Sequence, residues 1–309
     1  MVECPFSSSF ARKYFQVKPN RASFQVLDTK NETIILNFDN LLVCNENPNR
    51  NFVDLAACTM VSDDHIYRIP EWLEYHRLIG FQRFTIHIDS PNFEIYQRFL
   101  QNYIDRHPKV IELVPFYFET QRRPEDASRH DCLYRNRGFA KYTGVFDVDE
   151  FFQMKLKNQT LLQYLDRTIE SASSHWSGVA VPTFFFRHCE NKPIGDFQMA
   201  IEAYQVRDET SNSARRKSIY LTEQISYVGA HSRLGGEKIK IIDPAQELAV
   251  NHYRYPPLPM HKSKAQVLLV RDSSMFKHFA KFVKLNLKNA NFIIEDLPID
   301  YSSFSCGQR

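Results

Sequence analysis

The sequence predicts an α/β fold in which helices flank a mostly parallel sheet. From residue 55 onward, short apolar runs typical of strands alternate with longer segments whose apolar residues recur at helical spacing. The connections between these segments are short, which favours a doubly wound sheet. Acidic turns follow several of the predicted strands, at the carboxyl ends where such sheets bind their ligands.

The first strand and the first helix are predicted on residues 55–61 and 69–79. The strand is an apolar run, and the helix gathers its apolar residues on one face, namely Ile69, Trp72, Leu73, His76 and Ile79. Pro70 is tolerated in the first turn of this helix, because the backbone N–H that it lacks would have no intrahelical partner there. Gly80 then ends the helix.

Two further strand–helix pairs and a fourth strand complete the first half of the sheet. The strands are predicted on residues 84–88, 110–116 and 142–146 from their β-branched and aromatic residues. The helices are predicted on residues 93–103, where aromatic residues recur at helical spacing, and 124–137, which a proline opens.

The remaining elements are less regularly spaced. Before the sheet, a strand is predicted on residues 33–38 and a polar loop on residues 45–51. After the first half of the sheet, the predicted elements are a helix (161–169), four strands (179–186, 218–221, 225–230 and 248–253) and a basic amphipathic helix (275–287). The chain therefore divides into an N-terminal extension (1–54), a central domain with the candidate catalytic residues (55–261) and a helical tail packed on it (262–309).

Composition excludes several classes of function. The net charge of +3 is too small to indicate nucleic-acid binding, and no segment approaches the ~20 apolar residues of a membrane-spanning helix. The six cysteines form no CxxC pair, which argues against a zinc ribbon or a thioredoxin motif. Serine-hydrolase and Walker-type NTPase motifs are also missing from the sequence.

Two sequons, at residues 31–33 and 158–160, together with an even number of cysteines favour the secretory pathway. Which cysteines pair stays open, since sequence alone does not fix connectivity.

The strongest signal for chemistry is Asp147-Val148-Asp149-Glu150, directly after a predicted strand. Carboxylates separated by one residue on an extended segment point the same way, so Asp147 and Asp149 can both reach one cation. Mg²⁺ and Mn²⁺ prefer oxygen ligands, and substrate phosphates and water commonly complete their coordination. His231 is the candidate third ligand, with His252 as the alternative. The structural alternative is a strand that ends in solvated acids, which is frequent.

Other polar residues are candidates for contacts with an anionic or nucleotide ligand. Asp64 and Asp89 follow the first two predicted strands, Asp131 lies on the predicted helix before the Asp147 strand, and Lys217 opens a later strand. Each has a structural alternative: Asp131 belongs to a charged helix face, and a lysine at a strand edge is common as protection against aggregation.

An ordered set of segments resembles glycosyltransferase family 92. The similar segments occur in the same order along roughly residues 55 to 255, and they are 58–61, 69–76, 84–90, 131–135, 146–152, 217–219 and 251–254. The most diagnostic are Trp-Leu-Glu-Tyr-His at 72–76 and Asp-Val-Asp-Glu-Phe at 147–151. One turn departs from the family: residues 62–65 read Ser-Asp-Asp-His, where the family usually has a Lys-Asn-Glu-like turn.

The resemblance implies a GT-A (Rossmann-like) fold and an inverting, metal-dependent transfer from a UDP-sugar to a glycan acceptor. Characterised animal members use UDP-galactose, so galactose is the expected hexose, and a Golgi type II membrane setting implies an anchor outside this sequence. It also implies that Mn²⁺ or Mg²⁺ and the nucleotide are bound by Asp147 and Asp149, with His231 as the C-terminal metal ligand. The expected donor contacts are Asp64, Asp89, Asp131, Asp147 and Lys217.

An inverting enzyme needs a carboxylate as general base on the acceptor side, and Glu190 and Asp196 are the candidates. Two other functions stay open. The altered turn at 62–65 is compatible with an inactive family member that binds glycans or partners. A metal-dependent phosphohydrolase is the other alternative, although it typically needs more Asp and His ligands than this sequence assembles.

Overall fold

The computed structural model describes residues 21–27, 34–42, 52–117, 124–170, 176–187, 199–204, 206–229, 238–254 and 268–289. The chain divides into two compact units, Met1–Asn51 and Phe52–Arg309. In the first unit, β1 (Arg21–Leu27) and β2 (Ile34–Leu42) form an antiparallel pair. Strand β2 covers most of the strand predicted at 33–38.

The second unit contains one sheet, whose strands are β3 (Val53–Ser62), β4 (Arg83–Asp89), β5 (Ile111–Pro115), β6 (Ala140–Val145), β7 (Glu150–Met154), β8 (Gly178–Arg187), β9 (Val206–Asp208), β10 (Asn212–Leu221), β11 (Ile239–Ile241), β12 (Leu248–Tyr253) and β13 (Leu269–Arg271). Its helices are α1 (Ile69–Leu78), α2 (Phe93–Arg106), α3 (Pro124–Asn136), α4 (Leu161–Ile169), α5 (Ala200–Ala203) and α6 (Lys281–Asn289), the last preceded by a π-helical turn at Phe276–Ala280. None of the helices in the described ranges has the length and apolar character needed to cross a bilayer.

The first half of the sheet is parallel, with neighbouring strands in the order β5, β4, β3, β6. Helices α1, α2 and α3 connect these strands, which is the alternation that the sequence predicts. The second half is mixed, because β10 lies between β6 and β8 and is antiparallel to both. The α/β prediction is therefore confirmed, and the structure adds an antiparallel strand at the centre of the sheet.

Helix α1 packs aromatic residues against the strand that leads to the acidic turn. Trp72 is fully buried, and its ring centroid lies 5.4 Å from that of Phe84 and 5.2 Å from that of Phe146. His76 is also buried, with its ring 4.8 Å from Phe146. Burying aromatic side chains is among the largest contributions to a core. Because Phe146 directly precedes Asp147, this cluster fixes where the acidic turn begins.

One predicted strand, at 225–230, is wrong for the residues that the structure describes. A 3₁₀ turn occupies Thr222–Gln224, and residues 225–229 have no regular structure. Ile225 and Val228 are instead buried in a small apolar cluster with Cys58, Cys132, Leu133, Val145 and Tyr220. The apolar residues of this segment therefore anchor a loop against the core and are not paired in a ladder.

Candidate active site

The acidic sequence forms a tight turn between β6 and β7. The backbone N–H of Glu150 donates to the carbonyl of Asp147 (3.1 Å), and the N–H of Asp147 donates to the Glu150 carboxylate (2.8 Å). Phe146, Phe151 and Phe152 are buried on either side. Asp147 and Asp149 therefore do not lie on one extended strand, and their side chains contact different partners. We call Asp147, Asp149, Glu150, Lys217 and His252 the acidic centre.

Asp147 is paired with a buried lysine. The Lys217 ammonium lies 2.6 Å from Asp147 Oδ2 and 3.0 Å from Glu150 Oε2. The side chains of Lys217 and Glu150 are 5% and 1% exposed, whereas that of Asp147 is 48% exposed. Partial removal from water raises the pKa of Asp147, but the charge and hydrogen bond of Lys217, together with the charges of Arg129 and His252, hold the pKa well below its usual range. Burial likewise raises the pKa of Glu150, to about 7, against the opposing effect of Lys217.

Asp149 is paired with a histidine from β12. His252 Nε2 lies 3.0 Å from Asp149 Oδ2, and its Nδ1 lies 3.3 Å from Glu150 Oε1. The antiparallel pairing of β7 with β12 places His252 opposite Glu150. Burial lowers the pKa of His252, but the Asp149 and Glu150 carboxylates outweigh burial, so the pKa is raised and the imidazolium is favoured.

Part of the acidic centre has the donor set of a cation site. One ligand atom from each of Asp149, Glu150 and His252 lies within 4.8 Å of the other two. The buried Nδ1 of His252 has no hydrogen-bond partner among the described residues. Carboxylate oxygens with one imidazole nitrogen suit Mn²⁺ or Mg²⁺. The residues present thus fit a divalent cation, although Asp147 lies outside this group and contacts Lys217.

A cleft of about 330 Å³ opens beside Asp147. It lies at the carboxyl ends of β3 and β4 and at the first turns of α3, and its lining includes Thr59, His87, Ser128, Arg129 and Asp147. The Thr59 side chain is buried, and its hydroxyl has no hydrogen-bond partner within the described ranges. The cleft therefore presents hydrogen-bonding groups next to the acidic centre. Arg129 adds a positive charge that is paired with Asp126 (2.8 Å), and Glu125 adds a carboxyl group to the lining.

Asp131 belongs to a network beneath this cleft. Its carboxylate accepts hydrogen bonds from His87 Nε2 (2.8 Å) and Arg135, and Arg135 also pairs with Glu112 of β5 (2.9 Å). The side chain of Asp131 is 10% exposed. Asp131 therefore joins α3 to β4 and β5 and fixes the position of His87 in the cleft wall.

The other predicted residues are placed less completely. Asp89 ends β4 and is half-buried, and Asp64 lies on the 3₁₀ turn Asp63–Arg68, where its side chain is not described. His231, Glu190 and Asp196 lie outside the described residues. The structure adds Glu150 and His87, which sequence reasoning missed as site residues. For His87 the signal was a polar residue between two apolar strand residues, Ile86 and Ile88. Glu150 directly follows Asp149 in the acidic sequence.

Comparison with known proteins identifies related sequences. The family model for glycosyltransferase family 92 matches residues 54–303. A glycosyltransferase family 92 protein of Ricinus communis is 32% identical over 113 residues, which are 34% of this chain and 17% of that protein. The beta-1,4-galactosyltransferase galt-1 of Caenorhabditis elegans is 29% identical over 109 residues, 33% of this chain and 25% of that protein. These matches thus span a quarter or less of each relative.

Two matches to solved structures have lower similarity. The crystal structure of S. aureus TarS 1–349 matches with a TM-score of 0.37 and 11% identity, over 64% of this chain and 60% of that one. A 4-diphosphocytidyl-2C-methyl-D-erythritol synthase matches with a TM-score of 0.32 and 14% identity, over 63% of this chain and 89% of that one. The family match covers well over half of the chain, including the acidic turn, Lys217 and His252. The chain therefore belongs to glycosyltransferase family 92.

Proposed function

We propose that this chain is an inverting glycosyltransferase that moves a hexose from a UDP-sugar to a hydroxyl of a glycan acceptor. The hexose that we propose is galactose. The observation that carries the proposal is the acidic centre, in which Asp147 lies at the boundary with the cleft. Family membership supports the reaction class, and the galactosyltransferase among the relatives supports the choice of donor.

The cleft suits the nucleotide part of the donor. The backbone N–H groups in the first turn of a helix lack intrahelical partners and favour anionic groups. In α3 this turn also carries Glu125 and Asp126, and Arg129 is paired with Asp126, so the support for a nucleotide comes from the helix end and from the Thr59 hydroxyl, which has no partner among the described residues. We propose that Asp64 and Asp89 contact the donor from neighbouring strand ends. The sequence predicts that Asp131 contacts the donor. Because Asp131 holds His87 in place, we propose that it acts on the donor site through His87.

The metal would be held by Asp149 and Asp147 together with one histidine, His231 or His252, and Glu150 lies close enough to contribute. When bound, Mn²⁺ or Mg²⁺ would neutralise the charge that develops on the departing nucleoside diphosphate. His252 orients the Asp149 carboxylate, and Lys217 keeps Asp147 ionised. Glu190 and Asp196 remain the proposed candidates for the base that deprotonates the acceptor hydroxyl.

We also propose passage through the secretory pathway, with Asn158 as a glycosylation site. Cys58 and Cys132 form a disulfide, which persists in oxidising compartments and is rare in the cytosol. Asn158 is exposed, as a sequon asparagine must be for modification.

The proposed function is tested by measuring UDP release from UDP-hexoses with Mn²⁺, with and without glycan acceptors. Asp149→Asn should lower the rate by about 10²-fold or more, because one carboxylate charge is lost where the cation would bind. Circular dichroism verifies that the variant is folded. Asp105→Asn, on the exposed face of α2, is the matched control and should keep full activity.

Other outcomes would replace the proposal. Broad hydrolysis of phosphoesters without an acceptor would indicate a phosphohydrolase. A folded protein that neither transfers a sugar nor slowly hydrolyses the donor would indicate an inactive binding module. Full activity in Asp149→Asn would contradict the metal assignment.

A further inference from the structure

Lys217 occupies an unusual place for a lysine. Its side chain is 5% exposed, and lysines are almost never buried this deeply unless they are paired. Its ammonium contacts Asp147 and Glu150 at the same time, at 2.6 and 3.0 Å. A single positive charge therefore already lies between two of the three carboxylates of the acidic centre.

The position of Lys217 is set by the sheet and not by a flexible loop. Ser218, the next residue along β10, pairs with Val145 at the end of β6, two residues before Asp147. Glu150 is fixed in turn, because it accepts the backbone N–H of Asp147. The lysine and its two acceptors are thus held together by backbone pairing on both sides.

The two ends of the acidic centre differ in their access to solvent. Asp147 is 48% exposed and lines the cleft, so it can be reached by an incoming ion, whereas Glu150 is enclosed. A divalent cation that approaches Asp147 meets a carboxylate whose negative charge is already compensated by Lys217. Like charges about 4 Å apart repel by ~1 kcal/mol per pair of unit charges even in bulk water.

We propose that Lys217 is a built-in cation that competes with a divalent metal ion for Asp147 and thereby lowers the metal affinity of the acidic centre. The inference rests on the proposed function, namely that this centre binds a divalent ion and that Asp147 is one of its ligands. It adds a role for Lys217 that differs from the expected contact with the donor.

The test is calorimetric titration of Mn²⁺ into the whole chain without nucleotide. Lys217→Gln removes the charge and keeps an amide that can still donate to Glu150. Its affinity for Mn²⁺ should therefore be at least about tenfold higher than that of the wild type. Lys217→Arg keeps the charge and can contact two carboxylates at once, so its Mn²⁺ affinity should equal the wild-type value or fall below it.

A matched control is available elsewhere in the chain. Lys141 also pairs with two carboxylates, those of Asp166 (2.8 Å) and Glu170 (2.9 Å), but it contacts no residue of the acidic centre. Lys141→Gln makes the same chemical change as Lys217→Gln and should leave Mn²⁺ affinity unchanged. Thermal unfolding followed by circular dichroism verifies that each variant is folded.

The outcomes separate this inference from the proposed function. If the wild type binds Mn²⁺ and Lys217→Gln binds it equally or more weakly, competition by Lys217 is refuted while the metal site stands. If Lys217→Gln binds Mn²⁺ and the wild type does not, the result supports competition between Lys217 and the metal ion. If neither protein binds Mn²⁺, both the inference and the metal assignment fall. Should Lys217→Gln not fold, tighter binding by Lys217→Arg would still overturn the inference.

Discussion

Glu150 is the residue that organises the acidic centre. It is 1% exposed, and it contacts Lys217, His252 and the backbone N–H of Asp147. A buried carboxylate without partners is strongly destabilising, so a charge at this depth persists only when hydrogen bonds and opposite charges surround it. Glu150 thus acts as a positioning residue, since through these contacts it fixes the side chains on both sides of the turn.

The identity of the histidine ligand can be decided by two substitutions. His252→Ala should lower Mn²⁺ affinity about tenfold or more, because it removes the partner that orients Asp149 and a potential ligand atom. His231→Ala tests the residue expected from the family. Calorimetric titration measures the Mn²⁺ affinity of both variants. The direct ligand is the histidine whose substitution lowers this affinity more. Unchanged Mn²⁺ affinity in both variants would contradict ligation by either histidine.

The Asp131 network predicts a pH dependence of stability. Burial raises the pKa of Asp131, but the hydrogen bonds from His87 and Arg135 outweigh burial, so its pKa lies below 3.8. The network therefore stabilises the fold fully above the unfolded-state value of 3.8, and this contribution is lost as the pH falls through the lower folded-state pKa.

Asp131→Asn should accordingly lower the free energy of unfolding by about 1–3 kcal/mol at neutral pH, because two donors lose a charged acceptor. The difference from the wild type should shrink in acid, as the wild-type carboxylate becomes protonated. Denaturant unfolding at pH 7 and near pH 3 measures both values. An equal difference at the two pH values would contradict the assignment of this stability to the carboxylate charge.

Among the secondary-structure elements, β3 and α3 are joined covalently. The disulfide links Cys58 of β3 to Cys132 of α3, with Cα atoms 6.1 Å apart and a sequence separation of 74. Both elements line the cleft, since β3 contributes Thr59 and α3 contributes Ser128 and Arg129. The bond therefore holds the two walls of the cleft together.

Cys132→Ser should lower the free energy of unfolding by about 2–4 kcal/mol, because a long loop of the unfolded chain is no longer closed. Denaturant titration measures this change. Peptide mapping of the unreduced wild type should recover the Cys58 and Cys132 peptides linked to each other. Alkylation of both thiols in the native, unreduced protein would show that the bond is not formed.

At the scale of the whole molecule, the chain consists of two compact units that meet in sequence at residues 51 and 52. All residues of the acidic centre and of the cleft lie in the second unit, as do the residues matched by the family model. In the first unit, the described residues form an antiparallel pair of strands, β1 and β2.

A chain that begins at Phe52 should therefore fold on its own and bind Mn²⁺ with the affinity of the full chain. The physical reason is that the sheet and its helices bury their apolar faces against each other within this unit. Thermal unfolding and Mn²⁺ titration of the shortened chain provide the measurement. Loss of a cooperative transition would show that the first 51 residues are part of the same folding unit.

The sequence by itself determined the alternation of strands and helices from residue 55 to about 146 and the acidic sequence at the end of β6. These features depend on local periodicity and on residues adjacent in the chain, such as Phe146 before Asp147. Local patterns also predicted a strand that does not form: the apolar run after β10 buries its side chains from a loop.

Only the tertiary structure decided which charges meet. Lys217 reaches Asp147 across 70 residues of sequence, and His252 reaches Asp149 across 103. Both contacts arise because β10 pairs with β6 and β12 pairs with β7. Strand order in a sheet is set by the packing of the whole domain, which no local pattern encodes. For the same reason β7 itself, whose ladder partner is β12, was not predicted.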